Sequence, residues 1–188
     1  MKEVYPFDEI IDGCLKNDRK AQHRLYEAFS GSMYVLCLRY AKSKEEAEDI
    51  LIDGFTNVFS HLPDFHRNSS LKTWIHRIFV NSALDSIRAN QKYRFVESFD
   101  ESEAEIEQNP MDGDIITKLE AKQILHLMNE MPDDYRIIFN LRVFDECSFK
   151  EIAEELGRKE DTVRMYFRRA RLWLIKAIEN EEKVGEGD

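Results

Sequence analysis

Residues 148–177 read SFKEIAEELGRKEDTVRMYFRRARLWLIKA, and the fold follows from how this stretch divides. Phe149, Ile152, Ala153 and Leu156 recur at i, i+3, i+4 and i+7, the apolar stripe of a short helix. Ser148 and Glu151 have capping-box spacing, in which hydroxyl and carboxylate satisfy amides that the first turn leaves orphaned. Gly157 follows the last apolar position, where a left-handed residue ends a helix at little steric cost. A second helix is predicted to begin near Asp161 or Thr162, with an acidic residue at its positive end. Stepping about 100° per residue, Val163, Tyr166, Phe167, Ala170, Trp173, Leu174 and Ala177 gather on one side, and Arg164, Met165, Arg168 and Arg169 on the other. Two helices joined by a tight turn, with arginines on the outer face of the second, suit a recognition helix in the major groove of DNA. Arginine serves there twice, clamping phosphates and donating two bonds to guanine O6 and N7. The competing reading is a solvated basic face. Arg171 falls on the flank, where an intramolecular salt bridge is its expected role.

At 188 residues with 43% hydrophobic and 11% aromatic side chains, the chain can bury one core or two small ones. No apolar run reaches the roughly 18–20 residues of a membrane span, and MKEVYPFDEI lacks a signal-peptide core, so a cytoplasmic protein is expected. Cys14, Cys37 and Cys147 are odd in number and far apart, which reads as buried free thiols. His23, His61, His66, His76 and His126 show no ligand spacing, so neither a metal nor a cofactor is expected.

A net charge of −10 is unusual for a protein that binds DNA, and its distribution explains it. Residues 1–94 hold 14 basic and 13 acidic side chains, 95–116 none and eight, 117–179 twelve of each, and 180–188 one and four. Neutral blocks with local basic faces bind DNA weakly alone, because affinity grows with the number of phosphates neutralised. A larger partner is therefore implied.

Residues 6 to 62 read as three helices. The first carries Phe7, Ile10, Ile11, Cys14 and Leu15, and the second runs from about Ala21 to Ala41. The third opens at the Ser43/Glu46 pair, has Ala47, Ile50, Leu51, Gly54, Phe55, Val58, Phe59 and Leu62 as its apolar side, and closes before Pro63. Glu48, Asp49 and Asp53 form an acidic cluster on it, which by itself is as consistent with a solvated face. PDFHRNSSLKT is a turn-rich loop. In the helix after it, Ile75, Phe79, Ala83 and Ile87 face inward, and Trp74, Arg77, Asn81, Asp85 and Arg88 share the other side. Tryptophan, arginine and asparagine on one stripe supply what unstacked bases require: a π platform, phosphate clamps and an amide. The alternative is that Trp74 completes the core and Arg88 pairs with Asp85. Residues 95–116, with a Pro and a Gly among eight acids, read as a linker. From Ile116 the helical pattern resumes through Leu119, Ile124, Leu127 and Met128. A further helix, capped by Asp133 or Asp134, leads to Ser148. The C-terminal residues 180–188 read as a disordered tail.

AEDILIDGFTNVF, LKTWIHRIFVNSALDSIR and MPDDYRIIFNLRVFDECSFKEIAEELGRKEDTVRMYFRRAR, in that order and spacing, resemble regions 2 and 4 of bacterial sigma-70-type initiation factors. With two domains only, the chain resembles their extracytoplasmic-function group. The resemblance implies an all-α protein of two small helical domains, region 2 over 1–94 and region 4 over 117–179, joined by the acidic linker 95–116. It implies a promoter-specificity subunit without catalysis or small-molecule substrate, which works with core RNA polymerase, through its largest-subunit coiled coil and flap region, and with partly single-stranded promoter DNA. An anti-sigma protein is a further implied partner, and membrane insertion is not expected. By the same resemblance Glu48, Asp49 and Asp53 contact polymerase. Phe65, His66, Arg67, Asn68 and Ser69, with Trp74, Arg77, Asn81 and Arg88, hold open the −10 element. Thr162, Arg164, Met165, Arg168 and Arg169 read the −35 element. The linker, reaching about 75 Å at most, spans two elements about 17 base pairs or roughly 58 Å apart.

Three departures from the family pattern stand out. Asp161-Thr162-Val163-Arg164 replaces Gly-Thr-Val-Lys, Tyr166 replaces an arginine, and Asp145-Glu146-Cys147 stands where a glycine-containing turn is common. A reading of another class is a stand-alone helix-turn-helix regulator that binds duplex operators as a dimer.

Overall fold

The computed structural model describes residues 7–91 and 121–185. Every regular element among them is helical, and the chain separates after Gln91 into two compact units. The expected linker and the helix start between Ile116 and Glu120 lie outside the described residues, as do Lys92 and Arg94, which by sequence extend the basic end of the helix that carries Trp74, Arg77 and Arg88.

The first unit packs α1 (Asp8–Leu15), α2 (Arg19–Tyr40), α3 (Lys44–His61) and α4 (Leu71–Gln91), with a 3-10 turn at Leu62–Asp64. Asp18 caps α2 by accepting the Lys20 amide at 2.9 Å. Ser43 caps α3 by accepting the Glu46 amide at 3.1 Å, and the Glu46 carboxylate reaches the Lys42 amide at 2.7 Å. Leu25, Leu36, Tyr40, Ile50, Val58, Ile75 and Phe79 are fully buried, so the three long helices share one core. At Gly54 the fit of α3 to α4 is closest: a Cβ there would stand 2.4 Å from Cε1 of Phe79. The missing side chain lets the Phe79 ring lie on the α3 backbone and meet Phe55 edge-on at 5.1 Å.

The second unit contains α5 (Ala121–Glu130), α6 (Asp133–Phe139), a π turn (Asn140–Phe144), α7 (Phe149–Leu156) and α8 (Glu160–Gly185). Leu127, Met128, Met131, Phe139, Ala170 and Leu174 form its core, flanked by Phe144, Phe167 and Trp173. Neither aspartate caps α6. Pro132 holds the N-cap position without a side-chain bond, while Asp133 accepts from the buried Arg136 at 2.9 Å and Asp134 from Arg158 at 2.7 Å. Both carboxylates are thus engaged by guanidinium groups. Helix α8 continues to Gly185, so most of the stretch expected as a tail from residue 180 is helical.

Candidate nucleic-acid and partner interfaces

The helix-turn-helix forms as its local signals predict. Ser148 Oγ accepts the Glu151 amide at 3.2 Å, and Glu151 accepts the Ser148 amide at 2.7 Å, completing the capping box. Gly157 closes α7 in the left-handed region at φ 62°. Val163, Ala170 and Leu174 turn into the core, which leaves Arg164, Met165 and Arg168 exposed and Thr162 and Arg169 half-buried. Arg164 donates from Nε to Glu160 at 3.1 Å and lies 4.5 Å from the Phe149 ring centroid. Its position on the outer face is therefore set before any ligand arrives.

Arg164 and Arg168 open onto a cleft of about 500 Å³ that is also lined by Arg142, Arg171, Phe149, Phe167, Val143 and Glu146. Thr162, Met165 and Arg169 do not line it. Sequence reasoning missed Arg142 altogether and placed Arg171 only on the flank. Arg142 comes from the π turn, where the Asp145 amide bonds back to the Asn140 carbonyl at 3.1 Å and the Cys147 amide to Leu141 at 2.9 Å. A π turn holds one residue more than an α turn, which rotates later side chains by about 100° relative to α-helical register. Helical periodicity extended from α6 therefore misplaces Arg142. Glu146 follows at φ 56°, the left-handed conformation that explains why glycine is common in this turn.

Tyr166 is a packing residue. Its ring lies 5.8 Å from Tyr135 and beneath the Arg158 guanidinium at 5.2 Å, so the arginine it replaces leaves no gap in the exposed face.

In the first unit the loop and the stripe on α4 come together. Ser70 accepts the Thr73 amide at 3.1 Å and starts α4. Phe65 and Trp74 are both half-buried with ring centroids 5.1 Å apart, so Trp74 is neither a core residue nor fully free: it is one half of an aromatic shelf. His66, Arg67 and Asn68 are exposed beside it and Ser69 is half-buried. Arg67 adopts φ 61° and reaches Asp8 at 3.0 Å, which ties the loop to α1. Arg77, Asn81 and Arg88 continue the stripe, all exposed. Arg88 does pair with Asp85, at 3.0 Å. An exposed pair of this kind is worth about 0–1 kcal/mol, little enough to exchange for a phosphate.

Glu48, Asp49 and Asp53 are exposed on α3. Among them stands Ile52, 64% exposed, which sequence periodicity assigned to neither face. An isolated aliphatic side chain within an acidic patch gives the patch an apolar contact as well as charge. Glu45 extends the patch toward the helix start, where its own backbone amide and the Ser43 hydroxyl hold its carboxyl below the usual carboxylate range.

Among the described residues no group of three or more His, Cys, Asp or Glu side chains could hold a metal ion, and no helix is long and apolar enough to cross a membrane. Burial pushes the Cys37 thiol up to about 12.

Residues 25–93 match the family model for sigma-70 region 2, and residues 121–174 that for sigma-70 region 4. The ECF RNA polymerase sigma factor SigW of Bacillus subtilis is 29% identical over 171 residues, covering 87% of this chain and 91% of that protein. The ECF RNA polymerase sigma-E factor of Escherichia coli is 26% identical over 189 residues, covering 96% of each. Among solved structures, the sigma factor RpoE in complex with the anti-sigma factor NepR from Bartonella quintana aligns with a TM-score of 0.54 at 18% identity, over 84% of this chain and 96% of that one. At that identity the likeness concerns the fold.

Proposed function

The chain belongs to the sigma-70 family, in its extracytoplasmic-function group, and from that premise we propose how its surfaces divide the work of a promoter-specificity subunit of RNA polymerase. The acidic face of α3, Glu48, Asp49 and Asp53 with Ile52 at its centre, docks on core polymerase. The shelf of Phe65 and Trp74, with His66, Arg67, Asn68, Ser69, Arg77, Asn81 and Arg88, holds the unpaired −10 strand. Thr162, Arg164, Met165, Arg168 and Arg169 read the −35 element as duplex. The subunit contributes no catalysis and acts in the cytoplasm. An anti-sigma protein is its natural antagonist, in keeping with the complex described for RpoE.

The observation that carries this division is the aromatic shelf beside a cationic stripe. A stacked base gains about 1–3 kcal/mol on such a platform and gains it only when unpaired. The shelf therefore favours the melted strand over the duplex, and differential binding drives opening. Run-off transcription with core polymerase, with and without the chain, followed by sequencing of the start sites, tests the reading. Start sites that depend on the chain support it. Tight binding of intact duplex by the chain alone, with core enzyme making no difference, refutes it and favours a dimeric operator-binding regulator.

A further inference from the structure

We propose that Asp8, an acid at the start of α1 and outside every surface assigned above, is a positioning residue for promoter melting: through its ion pair with Arg67 it holds the loop 65–70 in the conformation that sets the aromatic shelf. The proposal rests on the promoter reading above and gives Arg67 a different share in it. The backbone of Arg67 shapes the loop for the −10 strand, while its guanidinium is engaged within the protein.

Among the described residues of the first unit, two that carry a side chain lie in the left-handed region, Asn17 at φ 58° and Arg67 at φ 61°. Asparagine tolerates that conformation because its short amide bonds locally, whereas arginine has no such compensation. A contact from outside the loop must therefore hold residue 67 there, and Asp8 supplies it. Arg67 Nη2 lies 3.0 Å from Asp8 Oδ1, an oxygen shielded from solvent. The Asp8 side chain is 20% exposed, against 72% for Asp85 in the pair with Arg88, so the Asp8 pair is screened less by water and salt. The anchor is also rigid. The Phe7 ring packs 5.4 Å from that of Phe29, and Ile10, Ile11 and Cys14 are buried, which fixes α1 to the core of the unit. Arg67 stands two residues after Phe65, whose ring is 5.1 Å from Trp74, and three before Ser70, which accepts the Thr73 amide at the start of α4. With α4 held by that cap, a change of φ at residue 67 moves Phe65 off Trp74 and takes the shelf apart. Glu9 shares the first turn of α1 with Asp8 and is exposed, so it serves as the control for the ordinary role of an acid at a helix start.

The test compares full-length variants as holoenzyme on promoter fragments already unpaired across −10, titrated from low to high salt. Asp8→Asn should weaken binding of the unpaired strand about 5- to 30-fold, the population lost when a side-chain-bearing residue must hold a left-handed conformation unaided. The slope of log K against log salt should stay unchanged, and so should holoenzyme assembly. Arg67→Gln should match this loss, and Asp8→Asn combined with Arg67→Gln should be no worse than either alone. In the Asp8→Asn background Arg67→Asn should restore binding, since asparagine keeps the backbone conformation without the ion pair. Glu9→Gln should have no effect. Trp74 in a Trp173→Phe background reads the same loop without polymerase or DNA: its quenching by acrylamide should rise in Asp8→Asn and return when Arg67→Asn is added. A slope lowered by about 0.7 in Arg67→Gln, one single-strand phosphate's worth, with tighter binding by Asp8→Asn, overturns the proposal and makes Arg67 a phosphate clamp that Asp8 restrains. Equal losses in Asp8→Asn and Glu9→Gln, without rescue by Arg67→Asn, overturn it in favour of a helix-dipole role, as does Trp74 quenching that Asp8→Asn leaves unchanged. Should Asp8→Asn fail to fold by circular dichroism, loss of binding in Arg67→Gln against retention in Arg67→Asn supports the proposal, and equal loss in both overturns it. Wild-type holoenzyme with no −10 preference refutes the sigma reading instead, and Trp74 quenching then decides the role of Asp8 in the loop alone.

Discussion

Alanine at Gly54 and alanine at Gly31 are the same chemical change in two helices of one unit, and the structure predicts opposite signs for them. In an exposed helix interior, replacing glycine by alanine stabilises by about 0.8–1.0 kcal/mol, since glycine gives up the most backbone freedom on folding. Gly31 meets that condition, with nothing within 4 Å of its ideal Cβ. At Gly54 the same methyl group would meet Cε1, Cδ1 and Cζ of Phe79 at 2.4, 2.6 and 2.7 Å. Phe79 is fully buried and cannot swing into solvent. Overpacking of this kind costs about 1–3 kcal/mol, so the gain in propensity is cancelled or reversed, and the two variants should separate by about 1–3 kcal/mol. For a unit of this size that corresponds to a gap of roughly 4–24 °C in Tm. The chain has two tryptophans, one in each unit, so a Trp173→Phe background leaves Trp74 as the reporter of the first unit during urea unfolding. Phe79→Leu should relieve part of the Gly54→Ala penalty in a double-mutant cycle. A Gly54→Ala variant as stable as Gly31→Ala would refute the close packing of α3 on α4.

Four further outcomes follow from other contacts. Trp74→Ala should slow open-complex formation about 5- to 150-fold, from about 1–3 kcal/mol of lost stacking, while leaving holoenzyme assembly intact in pull-down assays. Arg168→Ala should lose about 1–3 kcal/mol of −35 discrimination, read as weaker protection at −35 and unchanged protection at −10 in footprints. Ser148→Ala removes half of the capping box and should destabilise the second unit by about 0.5–2 kcal/mol, seen by Trp173 fluorescence in a Trp74→Phe background. Cys37, whose thiol burial raises from 9.0 to about 12, keeps its proton in the folded state where the unfolded chain begins to lose it. Its contribution is therefore intact below pH 9 and declines as pH rises toward 12, and Cys37→Ala should flatten that part of the alkaline stability curve.

The all-helical class, the capped helix-turn-helix and the inward faces of α3 and α4 were determined by sequence alone, because each rests on neighbours three or four residues apart whose geometry the helix itself supplies. The aromatic–cationic stripe on α4 was legible for the same reason. Contacts between distant segments were not. Phe65 against Trp74, Tyr166 against Tyr135, and Asp134 engaged by Arg158 instead of capping α6 all depend on packing across the unit. Helix α8 likewise runs past residue 180, where composition alone suggested a tail. The arginine cleft shows the limit most clearly. Arg142 sits inside the π turn, and the additional residue in that turn changes which way its side chains point, a rotation that helical periodicity has no means to register.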